Sequence, residues 1–170
     1  ADTGYGNALN VRRAVQEFER LGVAALHLED QSFPKRCGHL DDKSLVPVEE
    51  MAQKLRAARE VLQDSDLVLI ARTDAIAVEG FDAALDRAEQ YGEAGADVLF
   101  VEAPETEEQI EAIAERIPGP KLINMFQGGK TPLVSTQRLS ALGYRIVIIP
   151  SDLQRAAVYA MQRTLEAIRN

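Results

Sequence analysis

The chain has 170 residues, 46% of them hydrophobic, which is one domain's worth and enough to bury a core. Nineteen basic against 27 acidic side chains leave a formal charge of -8, and an acidic surface argues against nucleic acid as a partner. No apolar run approaches the roughly 20 residues of a membrane-spanning helix, the start lacks a signal-peptide pattern, and the single Cys37 cannot form an internal disulfide, which fits a reducing cytoplasm.

The chain opens on Asp2-Thr3-Gly4-Tyr5-Gly6, read as the end of a strand stub and the loop after it. A helix follows and ends at Gly22, before an apolar strand at 24–28 that carries His27 and runs into Glu29-Asp30. After the loop Pro34-Lys35-Arg36-Cys37-Gly38-His39, the spacing of Met51, Leu55, Ala58 and Leu62 predicts a second helix. A strand at 67–71 ends in Arg72-Thr73-Asp74, and Phe81, Leu85 and Ala88 mark the helix after it. Strand 98–101 ends in Glu102, and Thr106 with Gln109 reads as a capping box opening a helix. Strands at 122–125 and 146–149 complete the series, and Ser151 with Gln154 reads as a second box. Gly22, Gly95 and Gly143 each fall between a helix and a strand, where a helix C-cap needs the left-handed conformation.

Near-continuous apolar strands alternating with amphipathic helices predict a parallel sheet, either doubly wound or closed into an eight-fold barrel. The polar residues decide for the barrel. They cluster at the ends of several different strands, where barrels carry their chemistry. Gly4-Tyr5-Gly6 is too short for a dinucleotide fingerprint. The expected fold is therefore α/β, a (β/α)8 TIM-type barrel present as an incomplete one, with about five strands plus a stub and six helices. Residues 1–170 read as a single barrel domain lacking its N-terminal βα units.

Asp2, Glu29, Asp30, Asp74 and Glu102 all lie at strand ends. Magnesium takes oxygen ligands, often only one or two carboxylates with water completing the shell. Asp2 and Glu29 at adjacent strand ends fit such a site, the alternative for each being a helix cap or a solvated charge. His27 on an apolar strand reads as a hydrogen-bonded core residue, and the pattern does not suit zinc. Cys37 stands among Lys35, Arg36 and His39, and nearby cations favour a thiolate. Such a thiol can serve as proton donor or nucleophile. Gly38 lets a ligand approach the backbone closely. Arg72 at a strand end suits a substrate carboxylate, as does Arg155 in the last helix, whose alternative is a solvated helical charge.

Lys-Arg-Cys-Gly-His at 35–39 resembles the signature of the isocitrate lyase and phosphoenolpyruvate mutase superfamily, in its lyase branch. The resemblance extends over the whole chain through Asp2–Gly6, Leu26–Gln31, Ala71–Ala75, Val101–Ala103 and Gly128–Leu133. It implies a (β/α)8 barrel, a homodimer or homotetramer that exchanges its last helix, and a Mg2+ cofactor, with Mn2+ as a substitute. It implies that Asp2 and Glu29 help hold the metal, and that Cys37 is the acid–base, with His39 and Arg72 also catalytic. Tyr5, Gly38, Arg72, Glu102, Asn124 and Arg155 fall where relatives bind substrate. The aspartate expected two residues before Asp2, and a serine–glycine substrate loop, lie outside this sequence. The implied reaction is cleavage of a 2-hydroxy di- or tricarboxylate, of methylisocitrate or alkylmalate type, to a 2-oxo acid and a carboxylate. The same superfamily holds carboxyvinyl-carboxyphosphonate phosphonomutases and oxaloacetate-cleaving enzymes as alternatives.

Overall fold

The computed structural model describes residues 1–38, 40, 42–63 and 66–169. In chain order the elements are α1 (Ala8–Arg20), β1 (Ala25–Glu29), α2 (Val48–Val61), β2 (Val68–Thr73), α3 (Ile76–Glu79), α4 (Phe81–Glu93), β3 (Val98–Val101), α5 (Glu107–Arg116), β4 (Lys121–Asn124), α6 (Thr136–Ala141), β5 (Tyr144–Ile148) and α7 (Asp152–Arg169). The strands pair in parallel in the order β1-β2-β3-β4-β5. A doubly wound sheet reverses its order at a switch point, whereas consecutive parallel strands joined by helices are an arc of a barrel. Ahead of β1, the Ala1 amino group donates to the His27 carbonyl at 2.6 Å, and the Glu29 N–H donates to the Asp2 carbonyl at 3.0 Å. The predicted stub thus runs beside β1. The four-residue α3, too short for a periodicity signal, adds to the six predicted helices.

Local chemistry explains the helix ends. Asn7 and Asn10 form a reciprocal capping box at the start of α1. At its end Gly22, with φ 72°, closes a Schellman turn: the Val23 N–H reaches the Phe18 carbonyl and the Gly22 N–H reaches the Glu19 carbonyl. Thr106 caps α5 by accepting from the Gln109 N–H, but Gln109 reaches back to the Glu105 N–H rather than to that of Thr106. Ser151 has φ 63°, outside the extended conformation of an N-cap, so the second predicted box differs from the standard form.

The sheet has two different faces. Leu26, Leu28, Leu69, Ala71, Leu99, Val101 and Ile123 point out to the helices, meeting Leu55, Leu85, Tyr91 and Ile110 in the main core. Full burial of each such aliphatic side chain stabilises by about 1.5–3 kcal/mol. The alternate residues Ile70, Val98, Phe100 and Leu122 form a smaller inner cluster with Val68 and Ile146. This inner face is where a barrel packs its interior layers. Among the described residues no helix is long and apolar enough to cross a membrane.

Candidate active site

One step beyond the inner cluster, toward the C-terminal ends of the strands, the inward residues turn from apolar to charged. The register pairs Glu29 with Arg72, and Arg72 with Phe100. Arg72 lies over the Phe100 ring, its guanidinium carbon 5.1 Å from the centroid. Asp74 grips that guanidinium with both oxygens, at 2.9 Å to Nε and 3.0 Å to Nη2. Glu102 stands 3.7 Å from Nη2, and Glu29 3.8 Å from Nε. Burial alone would lower the arginine's pKa. The hydrogen bonds it donates to Asp74 and the charges of Glu102, Asp74 and Glu29 more than reverse this, so Arg72 is a fixed cation.

Glu29 is fully buried. Burial pushes its carboxyl up, but the nearby His27 imidazole and the cations Arg72 and Lys35 outweigh this and hold it below the usual range. His27 stands edge-on to Phe100, with Nε2 3.7 Å from Glu29. Lys35 Nζ donates to Glu29 Oε2 at 3.4 Å and lies 3.3 Å from Oε1 without hydrogen-bonding geometry. Glu29 Oε1 and Asp2 Oδ1 are both buried without a hydrogen-bond donor. Two such oxygens, on groups brought together by the Asp2–Glu29 backbone bond, suit a hard cation that accepts carboxylate and water ligands. Among the described residues no cluster of three or more His, Cys, Asp or Glu side chains is arranged to hold a metal.

Cys37 is exposed and lines a cavity of about 280 Å3 together with Lys35, Gly38, Arg72, Glu102, Asn124, Phe126 and Pro150. Five of the sequence-predicted residues, Cys37, Gly38, Arg72, Glu102 and Asn124, thus meet in one place. Asn124 Nδ2 donates to Glu102 Oε1 at 3.3 Å. Ala103, next along from Glu102, is buried with φ 59°, a conformation costing a non-glycine residue about 1–2 kcal/mol. Strain of this kind gathers at functional sites. Gly38 is tightly enclosed: a Cβ there would overlap Arg72 Nη2 and the Glu102 carboxylate arm. Its smallness serves the protein's own side chains.

The other predicted residues lie elsewhere. Tyr5, 59% exposed, and Asp2 line a neighbouring cavity of about 600 Å3 with Thr3, Gln31, Phe33 and Lys54. That cavity is larger but lacks Cys37 and Arg72. Arg155 is exposed, and its guanidinium donates to the Gln127 carbonyl at 2.8 Å, tying α7 to the loop after β4. His39 lies outside the described residues.

Three structural groups make contacts that escape the sequence patterns. Lys43 is buried, 3.6 Å from Asp74 Oδ1, and donates to the Gly38 carbonyl. Gln31 is buried and bonds the backbone of Arg36. Asp30 is a hub, accepting from Thr73 Oγ1 at 2.7 Å, the Asp74 N–H at 3.0 Å, Tyr91 Oη at 2.9 Å and Arg87 at 3.3 Å. Asp30 stands among the strand-end carboxylates of the sequence, and Arg87 lies on the stripe with Ala84, Ala88 and Tyr91 that α4 buries.

The phosphoenolpyruvate phosphomutase family model matches residues 1–169. The chain is 48% identical over 170 residues to 2,3-dimethylmalate lyase of Eubacterium barkeri, covering all of this chain and 59% of that enzyme. Its fold superposes on oxaloacetate acetylhydrolase in complex with 3,3-difluorooxalacetate with a TM-score of 0.91 at 38% identity, covering 99% of this chain and 58% of that one. It superposes on phosphonopyruvate hydrolase in complex with oxalate and Mg2+ with a TM-score of 0.80 at 34% identity, covering 99% and 58%. The chain thus spans a little over half the length of the relatives it matches. With the parallel βα arc and a family model matched over residues 1–169, the chain belongs to the phosphoenolpyruvate phosphomutase family.

Proposed function

We propose that this chain carries the catalytic face of a magnesium-dependent carbon–carbon lyase that cleaves a 2-hydroxy di- or tricarboxylate of the alkylmalate or methylisocitrate type. The observation that supports it is the exposed Cys37 at the mouth of a small cavity floored by Arg72, Glu102 and Asn124. Arg72 is pre-set by Asp74 to meet a substrate carboxylate with a planar fork. Asn124 and Glu102 present polar groups to a substrate oxygen. A general base takes the 2-hydroxyl proton as that oxygen becomes a carbonyl, the Cα–Cβ bond electrons pass to the departing carbon, and Cys37 delivers a proton to that carbanion. Asp2 and Glu29 would hold Mg2+, or Mn2+ in its place, with water and groups from the rest of the enzyme. When bound, the ion supplies positive charge for the oxygens of the 2-oxo acid product. His39 shares the catalytic loop, and Tyr5 and Arg155 support substrate binding from flanking loops in the same proposal.

The reading extends to assembly and setting. α7 has no buried residue, and Leu153, Met161, Leu165 and Ile168 present an apolar stripe at 58–89% exposure. Such a face supports association with further copies of the chain as a homodimer or homotetramer. The lone free thiol suits a cytoplasmic enzyme.

The likeness to oxaloacetate acetylhydrolase carries a second reading, hydrolytic cleavage of an oxaloacetate-type acid on the same cavity. The deciding experiment is a panel of 2-hydroxy di- and tricarboxylates, oxaloacetate and phosphonates with the complete enzyme, before and after chelation. Magnesium-dependent release of a 2-oxo acid, reduced about 10²–10⁴-fold by Cys37→Ser, is expected. Full activity in that variant would remove Cys37 from the mechanism. Oxalate plus acetate from oxaloacetate would favour the second reading, and a phosphorus NMR signal for a new phosphonate would move the enzyme to the mutase branch.

A further inference from the structure

The segment that carries Cys37 is held at two points, one on each side of the thiol. Upstream, the side-chain amide of Gln31 pairs with the backbone of Arg36 in both directions. The Arg36 N–H donates to Oε1 at 2.8 Å, and Nε2 donates to the Arg36 carbonyl at 2.9 Å. Downstream, the ammonium of Lys43 donates to the Gly38 carbonyl while lying 3.6 Å from Asp74 Oδ1. Both side chains are buried, yet neither lines the cavity that holds Cys37. Both spring from the base of the loop. Gln31 forms an antiparallel bridge with Leu45, and the Ser32 N–H donates to the Ser44 carbonyl at 2.8 Å. That base is anchored to the sheet by the Val46 N–H, which donates to the Asp30 carbonyl at 2.9 Å.

A long polar side chain gives up rotamer freedom on ordering, and desolvating an ammonium costs more. Two such side chains satisfying backbone atoms at residues 36 and 38 fix the peptide units around the residue between them. Gly38 fits between Arg72 and Glu102 only at close quarters. A loop released from either anchor would therefore lift Gly38 off Arg72 and carry Cys37 away from the cavity.

We propose that Gln31 and Lys43 are positioning residues that brace the Cys37-bearing segment against the site from either side, Lys43 doing so through Asp74, the residue that also orients Arg72. The proposal rests on the reading of Cys37 as proton donor for its kinetic part, but not for its structural part.

The test uses the complete enzyme with Gln31→Met, Lys43→Met and the conservative Lys43→Arg. Lys35 and Arg36 are exposed and trypsin-sensitive in kind, so nicking after either one, followed by mass spectrometry, reports the freedom of the segment without reference to activity. The two methionine variants are expected to nick on the order of tenfold faster, because cleavage follows the population of the opened loop. Their kcat should fall by about 10²-fold, with KM changed less than about threefold, since misplacement by an ångström impairs the chemical step while Arg72 still binds. Lys43→Arg should recover most of both losses. Unchanged nicking in both methionine variants, or faster nicking with kcat intact, overturns the proposal. If the wild-type enzyme cleaves no hydroxy acid, the functional reading fails separately, and the nicking rates alone decide whether the segment is braced. If Lys43→Met does not fold, Gln31→Met carries the same test from the other side.

Discussion

Arg72 and Asp74 share two parallel hydrogen bonds, at 2.9 and 3.0 Å, although only one residue separates them in the chain. Thr73 between them faces the other way and bonds Asp30, so the strand's alternation puts both charged groups on the active face. Arg72 thus arrives oriented before any substrate binds. Asp74→Ala leaves a buried guanidinium near Glu29 and Glu102 without its main partner. Breaking a buried pair from one side costs about 3–5 kcal/mol. A fall of that order in urea-unfolding free energy, with a raised KM, is the expected outcome, and an unchanged unfolding midpoint would show the pair to be dispensable.

Gly38→Ala is a sharper probe of the loop. The added methyl meets Arg72 Nη2 and the Glu102 side chain, and one of them must move. Overpacking of this kind costs about 1–3 kcal/mol. The activity loss should exceed the stability loss, about 10²-fold or more in kcat/KM, because the displaced groups floor the cavity. Steady-state kinetics beside thermal unfolding separates the two effects.

Acid stability provides a third test, through Glu79. Its carboxylate is bound by Arg87 at 2.7 Å through both oxygens, and these bonds hold its pKa below the ordinary value despite some opposing burial. A carboxyl depressed in the folded state stabilises the fold above its unfolded pKa of about 4.3. That contribution disappears as pH falls from there through the lower folded value. Glu79 is largely exposed, so the contribution is below about 1 kcal/mol. Glu79→Gln should leave an unfolding curve at pH 7 shifted down slightly and make it less steep between about pH 5 and 3. Identical acid limbs for the two proteins would remove the pair from the stability account.

Assembly through α7 gives a fourth. Leu165→Glu places a charge in the exposed apolar stripe. The variant should sediment as a smaller species than the wild-type enzyme and unfold at a temperature that depends less on protein concentration. An unaltered sedimentation profile would place the subunit contact elsewhere.

Much of this architecture is legible in the amino-acid order. The five apolar runs fall on the five strands within a residue or two, because a strand covered on both faces needs continuous apolar character. The glycines at 22, 95 and 143 all adopt positive φ just after a helix. Cys37, Arg72, Glu102 and Asn124 converge because strand ends in a barrel converge, so topology alone brings them together. What escapes is the set of contacts between residues distant in sequence. Asp30 binds Arg87 and Tyr91, 57 and 61 positions away, and no local period encodes such pairs. Nothing in the pattern reveals that the tips of Lys43 and Gln31 are buried against the backbone of the Cys37 segment. Arg155, in the last helix, ties that helix to the loop after β4 through the Gln127 carbonyl, a contact that its position alone does not reveal.

The Asp30 hub has one further consequence. It sits just after β1, yet it accepts from the backbone of Asp74 just after β2 and from two side chains of α4. Two neighbouring βα units are therefore riveted at their active rims by a residue that never faces the cavity. The separation between Glu29 and Arg72 on the adjacent strand ends is inherited from this rivet, and the loop that carries Cys37 hangs from the same fixed point, because the Val46 N–H closes its base onto the Asp30 carbonyl.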